Sequence, residues 1–261
     1  MRNIRLIVAY DGTDLVGYQK QSADKGITVQ GALEKALSII CAEPIQIYGA
    51  SRTDAGVHAR FQVCAFQTSG SIPVENIPRA TIAHLPKDIV VTEAIEIPLD
   101  WKPRNNIFGK EYIYSIYNRE IADPIGQRYH WHVKKPLDIE SMRHAGKALE
   151  GTYDFSTLKG ANTTPVDPVK TIYAVGIVEK NGHIDISVVG DGFLYHMVRN
   201  IAGLLVDVGL GRKSVARIPE LLAAKDRKKI GKTAPAQGLV LEEIFFTPDR
   251  LNTVIQRIKG E

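Results

Sequence analysis

Ile45-Gln46-Ile47-Tyr48-Gly49-Ala50, then Ser51-Arg52-Thr53-Asp54-Ala55-Gly56-Val57-His58-Ala59, then Phe61-Gln62-Val63-Cys64-Ala65-Phe66-Gln67 read as a strand, a long polar connection and a second strand. Upstream, Thr28 to Cys41 sets Val29, Leu33, Leu37 and Ile40 at helical spacing behind a Thr28 N-cap. Before that, Ile4 to Tyr10 reads as a strand that stops at the turn signal Asp11-Gly12. Downstream, Val74 to Leu85 is expected to be helical and Ile89 to Ile97 to be a β-branched strand. The order is β-α-β-β-α-β, the ferredoxin-like arrangement.

The second half repeats that order. Glu111 to Tyr117 reads as a strand and Ile139 to Leu149 as a helix. Val169 to Glu179 and Ile184 to Val189 are strands joined by the turn Asn181-Gly182. A long helix is expected from Leu194 to Val208, whose apolar positions form one broad stripe. Ser214 is placed to cap a short helix, and Glu242 to Phe246 reads as the last strand. No residue-level repeat accompanies the duplicated order. The expected fold is α+β: two ferredoxin-like halves, 1–104 and 105–261, forming a large, mostly antiparallel sheet with helices on one face and a central cleft; sheets of this kind often bind RNA, but they host many other functions too.

Composition is that of an ordinary globular chain. Of 261 residues, 44% are hydrophobic and 24% charged, so a substantial core is available. The net charge of +4 permits an acidic partner without demanding one. Cys41 and Cys64 have no metal-binding or redox spacing and read as buried, inert thiols. The apolar run at the start is too short for a signal peptide, and no stretch reaches the length of a membrane span. A cytoplasmic protein with no membrane contact is expected.

Two segments invite chemistry. Gly12-Thr13-Asp14-Leu15-Val16-Gly17 has the glycine spacing of a phosphate loop, but Tyr18 and Gln19 stand where a lysine and a hydroxyl are required. The nucleotide-triphosphate reading fails there. Asp54-Ala55-Gly56 in isolation is accounted for by a turn, with Gly56 supplying positive φ. Three features weigh against so plain a reading. Arg52 and His58 flank the carboxylate, the connection is long for a hairpin, and Thr53-Asp54 is not needed for a tight turn.

Arg52-Thr53-Asp54-Ala55-Gly56-Val57-His58-Ala59 with Gln62-Val63 resembles the signature of the tRNA pseudouridine synthase A family. Four more segments, in order, resemble its other motifs: Tyr10-Asp11-Gly12-Thr13 with Gly17-Tyr18-Gln19; Lys110-Glu111-Tyr112-Ile113-Tyr114; Phe193 to Ile201; and Ala234 to Leu241. Tyr18 stands where that family usually has tryptophan, Ser51 where glycine is common, and Lys102 to Phe108 follows the family only loosely.

The resemblance implies an isomerase that converts uridine to pseudouridine in the tRNA anticodon arm, at uridines 38, 39 and 40 in tRNA nomenclature. It implies Asp54 as the catalytic nucleophile or general acid/base, Arg199 as its partner, and Tyr112 as a platform for the target uracil. Arg52, Thr53, His58 and Arg60 are expected to bind the RNA. It also implies a homodimer. The reaction detaches uracil from ribose, turns it and rejoins it through C5. No redox step or energy donor is involved, so no cofactor and no metal are expected.

The rival of another class is a ferredoxin-like RNA-binding protein or chaperone without catalysis, which has no reason to keep Asp54, Tyr112 and Arg199 together. A metal-dependent phosphate hydrolase using Asp54 needs further carboxylates or histidines nearby, and none stands out. His130 and His132 around Trp131 lack a third ligand, and the basic run Lys225, Arg227, Lys228, Lys229, Lys232 reads as a solvated loop or as a phosphate contact.

Overall fold

In the computed structural model, which describes residues 1–161 and 166–260, the chain forms two compact units. The first comprises Met1–Ile107 with Val240–Phe246, the second Phe108–Leu239 with Thr247–Glu261.

In the first unit the elements are β1 (Arg2–Tyr10), α1 (Val29–Cys41), β2 (Ile47–Gly49), β3 (His58–Thr68), α2 (Ile77–Thr81) and β4 (Ile89–Ile97). β1 lies between β4 and β3, antiparallel to both, and β2 runs antiparallel along the far part of β3. The order β4-β1-β3-β2 is the ferredoxin-like one. α1 starts where its sequence says: the Thr28 side chain accepts from the Gly31 amide. It ends on a left-handed Ala42. α2 is much shorter than the periodicity of Val74 to Leu85 predicts, one turn after a 3₁₀ segment with Pro78 inside its start. Ile4, Leu6 and Val8 of β1, Leu33 and Leu37 of α1, and Ile77 of α2 are fully buried and form this unit's core.

β3 begins three residues earlier than expected. Its first two residues pair in parallel with the strand Leu239–Phe245, through His58 with Val240 and Ala59 with Leu241. The outer edge of β3 is thus shared, by β2 at Cys64 to Phe66 and by this late strand at His58 and Ala59. The residues 50–57 leave the sheet at the gap between them, which is what makes the connection long.

The second unit has β5 (Gly109–Tyr117), β6 (Trp131–His132), α3 (Ile139–Lys147), β7 (Gly151–Asp154), β8 (Val169–Lys180), β9 (His183–Gly190), α4 (Met197–Gly209) and α5 (Ile218–Ala223). Next in the chain come the late strand, β10 (Leu239–Phe245), which apart from Leu239 belongs to the first unit, and α6 (Pro248–Lys259) of the second. β5-β9-β8-β7 is an antiparallel run, and β6 adds a parallel pair at the end of β5. α3 and α4 pack together. α3 meets β8 through Val175 and Ile177, close to Gly146, whereas α6 meets it through Gly176, close to Ile258. Neighbouring strand residues point to opposite faces, so α6 covers the face away from α3. α6 is absent from the sequence expectation although its signals stand in the chain: Thr247 caps it, Pro248 begins it, and Leu251 and Val254 are its buried positions. Ser214 makes no side-chain cap; a 3₁₀ turn precedes α5 instead.

Candidate active site

Asp54 sits half-exposed on the connection between β2 and β3. The connection is braced on both sides of it. The Thr53 hydroxyl is 2.7 Å from the Tyr10 hydroxyl, and the Thr53 carbonyl accepts from the Tyr18 amide at 3.1 Å. Beyond Asp54, the Gly56 amide donates to the Leu15 carbonyl at 3.3 Å, and the Val57 amide closes onto the Asp54 carbonyl at 3.2 Å. Gly56 has φ 78°, the left-handed conformation its position in the turn requires. Gln62 is fully buried on β3 and bonds both ways to the Ser51 backbone, 3.3 Å from its amide to Oε1 and 3.1 Å from Nε2 to its carbonyl.

His58 is buried, with Nδ1 3.0 Å from the Gly12 amide and 3.1 Å from Asp11 Oδ1. A ring nitrogen accepts or donates at one time, so one of these contacts is a hydrogen bond in each tautomer. In either case it holds the Asp11-Gly12 corner against the start of β3. Thr53 and His58, expected to bind RNA, are therefore buried and brace the backbone. Arg52 is exposed. Arg60 is 73% exposed at its side chain and pairs with Glu242 of β10 at 3.2 Å. An exposed pair of this kind contributes little and is readily exchanged for another anion.

In the second unit Tyr112 lies on β5, buried, its ring edge-to-face with Phe193 at 5.3 Å and 88°. Tyr114, two residues on and fully buried, donates from its hydroxyl to the Pro235 carbonyl at 2.9 Å. Burial pushes its phenol far up, against a smaller opposing pull from Arg199. Arg199 is on the first turn of α4, half-buried, with Nε donating to the Ala234 carbonyl at 2.8 Å. α4 starts at Met197 rather than Leu194, because His196 takes a left-handed φ of 61° and stacks on Tyr195 at 3.7 Å. Tyr195 is accordingly outside the helix.

What holds Arg199 is not legible from local pattern. Arg227 Nη2 donates to Asn200 Oδ1 at 2.9 Å and to Thr233 Oγ1 at 2.7 Å, while Nη1 donates to the Gly231 carbonyl at 2.8 Å. The Thr233 hydroxyl also reaches Asn200 Oδ1 at 2.8 Å, and Ala234, next in the chain, faces Arg199. Within the basic run, then, Arg227 is an internal brace. Lys225 pairs with Asp154 at 2.6 Å, and that hydrogen bond holds the Asp154 carboxyl at about 2. Lys228, Lys229 and Lys232 are exposed. The signal for Arg227 lay in Asn200, inside the segment Phe193 to Ile201, and in Thr233, next to the segment Ala234 to Leu241.

His130 is buried at the end of a loop, and its ring lies 5.1 Å from that of Tyr117 and 5.9 Å from that of His183. Among the described residues no cluster of histidine, cysteine and carboxylate side chains is arranged to hold a metal ion, and no helix is long and apolar enough to cross a membrane.

The family model described as tRNA pseudouridine synthase matches residues 6–105 and 145–247, which include the Asp54 loop and Arg199. A tRNA pseudouridine synthase A 2 of Clostridium tetani is 45% identical over 94% of this chain and 99% of its own length. A tRNA pseudouridine synthase A of Brevibacillus brevis is 42% identical over 94% of this chain and all of its own. Among solved structures, an archaeal box H/ACA Nop10–Cbf5 complex aligns with 78% of this chain and 44% of that one at 14% identity, with a TM-score of 0.35, too low to bear on the fold. The class is that of α+β isomerases. The chain belongs to the tRNA pseudouridine synthase family.

Proposed function

We propose that this protein isomerises uridine to pseudouridine in the anticodon arm of tRNA, at uridines 38, 39 and 40, with Asp54 as nucleophile. Family membership supports the reaction and the tRNA substrate. The observation that carries the assignment of Asp54 is the bracing of its loop. Backbone and buried side chains fix the chain on both sides of one carboxylate and leave it reachable from solvent. Such fixing supplies the preorganisation that a nucleophile needs.

In the reaction the C1′–N1 bond breaks, uracil turns, a C1′–C5 bond forms and the C5 hydrogen leaves as a proton. The carboxylate opens the sequence by covalent attack, splitting one hard step into two easier ones. On the resemblance given above, Arg199 pairs with Asp54 and Tyr112 stacks on the uracil. Arg52 and Arg60 contact the RNA, while Thr53 and His58 act by holding the loop. The same resemblance supports a cytoplasmic homodimer.

Tritium release from tRNA labelled at uridine C5 tests the proposal. Release by the wild type and its loss in Asp54→Ala, with tRNA still bound, is the expected result. Equal release from both removes Asp54 from the mechanism. Binding without release by the wild type leaves a non-catalytic RNA-binding protein.

A further inference from the structure

The first unit carries a second polar feature outside the loop of Asp54. The outer edge of β2, the end of β3 and residues 99–105 enclose an open groove of about 670 Å³. Its walls are tied down. Asn3 Nδ2 donates to the carbonyls of Pro98 at 2.9 Å and Trp101 at 3.0 Å, and Gln67 Nε2 donates to that of Leu99 at 3.0 Å. On the other side Arg104 Nε donates to the Gly49 carbonyl at 3.1 Å.

Arg52, Lys102 and Arg104 bring three exposed cations to this groove, and among the described residues no carboxylate lines it. Of the four aromatic residues that line it, Tyr18 and Phe66 are buried and two are reachable. Tyr48 on β2 is 59% exposed, and Trp101 is held against Phe246 at 5.7 Å. Cations alone would suit any anion. Cations beside one exposed ring and one half-buried, braced ring match a chain that offers both phosphates and free base faces, which is unpaired nucleic acid. A double helix keeps its base faces stacked and would leave the rings unused.

We propose that this groove binds unpaired nucleotides of the RNA substrate beyond the target uridine. The inference rests on the RNA substrate proposed above. Arg52 lines the groove and lies two residues before Asp54, so a strand held there leads onto the catalytic loop. Residues 102–105, part of the stretch Lys102 to Phe108 that follows the family only loosely, belong to the groove lining. The groove therefore contributes to which RNA is preferred.

The test compares Lys102→Gln, Tyr48→Ala and Tyr48→Phe with the wild-type chain. Binding of a fluorescent oligouridylate of about six nucleotides and of a blunt RNA duplex is followed by anisotropy, and kcat and KM are measured with tRNA. Tyr48→Ala is expected to weaken oligouridylate binding and raise KM about tenfold, with Tyr48→Phe close to wild type. Lys102→Gln is expected to lower the salt slope of oligouridylate binding by about 0.7. In all three, kcat and the melting temperature stay unchanged.

Unaltered oligouridylate affinity and KM in both Lys102→Gln and Tyr48→Ala overturn the proposal. So does a wild type that fails to bind oligouridylate, or duplex binding that falls as far as single-strand binding. The catalytic reading fails separately: a wild type that releases no tritium but binds oligouridylate through Tyr48 and Lys102 loses the reaction and keeps the groove.

Discussion

The carbonyl oxygen of Val57 lies 2.1 Å from the point that a Cβ on Gly12 would occupy. The corner after β1 and the end of the Asp54 loop are therefore in direct backbone contact. Gly17 repeats the arrangement, with φ 100° and the Thr53 carbonyl oxygen 2.9 Å from its absent Cβ. The first motif and the aspartate motif are one structural object, and the glycines are where their backbones touch.

Gly12→Ala meets backbone that cannot yield cheaply. A loss of at least about 2 kcal/mol of stability is expected, together with a fall in pseudouridine formation. Gly192→Ala, whose nearest contact is the Lys170 side chain at 3.6 Å, should be neutral. Urea unfolding and tritium release measure both, and a Gly12→Ala protein as stable as wild type would contradict the contact.

Thr53→Ala removes the hydroxyl that meets Tyr10, whereas Thr53→Ser keeps it. The alanine variant should lose about 1 kcal/mol and much of its kcat, with the serine variant restoring both. If Thr53 instead touched RNA, KM for tRNA would rise while stability held.

Tyr18 is buried, and its hydroxyl has no hydrogen-bonded oxygen or nitrogen among the described residues. The thiol beside it, Cys64, is a weak partner, and burial pushes that thiol up to about 12. Tyr18→Phe is expected to leave stability unchanged or to raise it by about 1 kcal/mol. Thermal unfolding decides, and a clear loss would mean that the hydroxyl–thiol contact contributes more than its chemistry suggests.

Arg227→Lys keeps the charge but cannot reach three acceptors with one ammonium. It should cost about 1–3 kcal/mol and speed hydrogen exchange of the Ala234 amide, which donates to the Arg199 carbonyl at 3.2 Å. If Arg227 served as a phosphate contact, the variant would change the salt slope of tRNA binding and leave that exchange rate as it was.

Glu43 accepts from the Thr68 hydroxyl and from Ser69 and Gly70, and these bonds hold its carboxyl at about 2, below the usual 4.5. A depressed folded-state value stabilises above the unfolded one. That contribution is complete above pH ~4.5 and is lost as pH falls toward ~2. Glu43→Gln should therefore flatten the acid limb of stability between those values, read from urea midpoints across that range. An unchanged acid limb would show that the carboxylate's bonds persist on unfolding or do not form.

Sequence reading recovered what local rules determine. α1 is legible to within a residue because Thr28 is an N-cap and its apolar positions recur on one face. The apolar stripe predicts α4 three residues early because it continues through Leu194, while the backbone turns at left-handed His196. Asp54 stood out through its flanking residues and motif. What braces it did not, because Tyr10 at the end of β1, Leu15 in the connection after it and Gln62 on β3 meet the loop only once the chain has folded, and no local pattern encodes those pairings. Arg60 was legible as a cation near the site, but its partner Glu242 lies near the other end of the chain.

The strand 239–245 gives the first unit a dependence on the order of synthesis. His58 and Ala59, the residues that lead out of the Asp54 loop, keep an open sheet edge until Val240 and Leu241 have left the ribosome. Nearly the entire chain must exist before the strand bearing that loop has both neighbours. A fragment ending at residue 107 would present an unpaired edge beside the loop of Asp54.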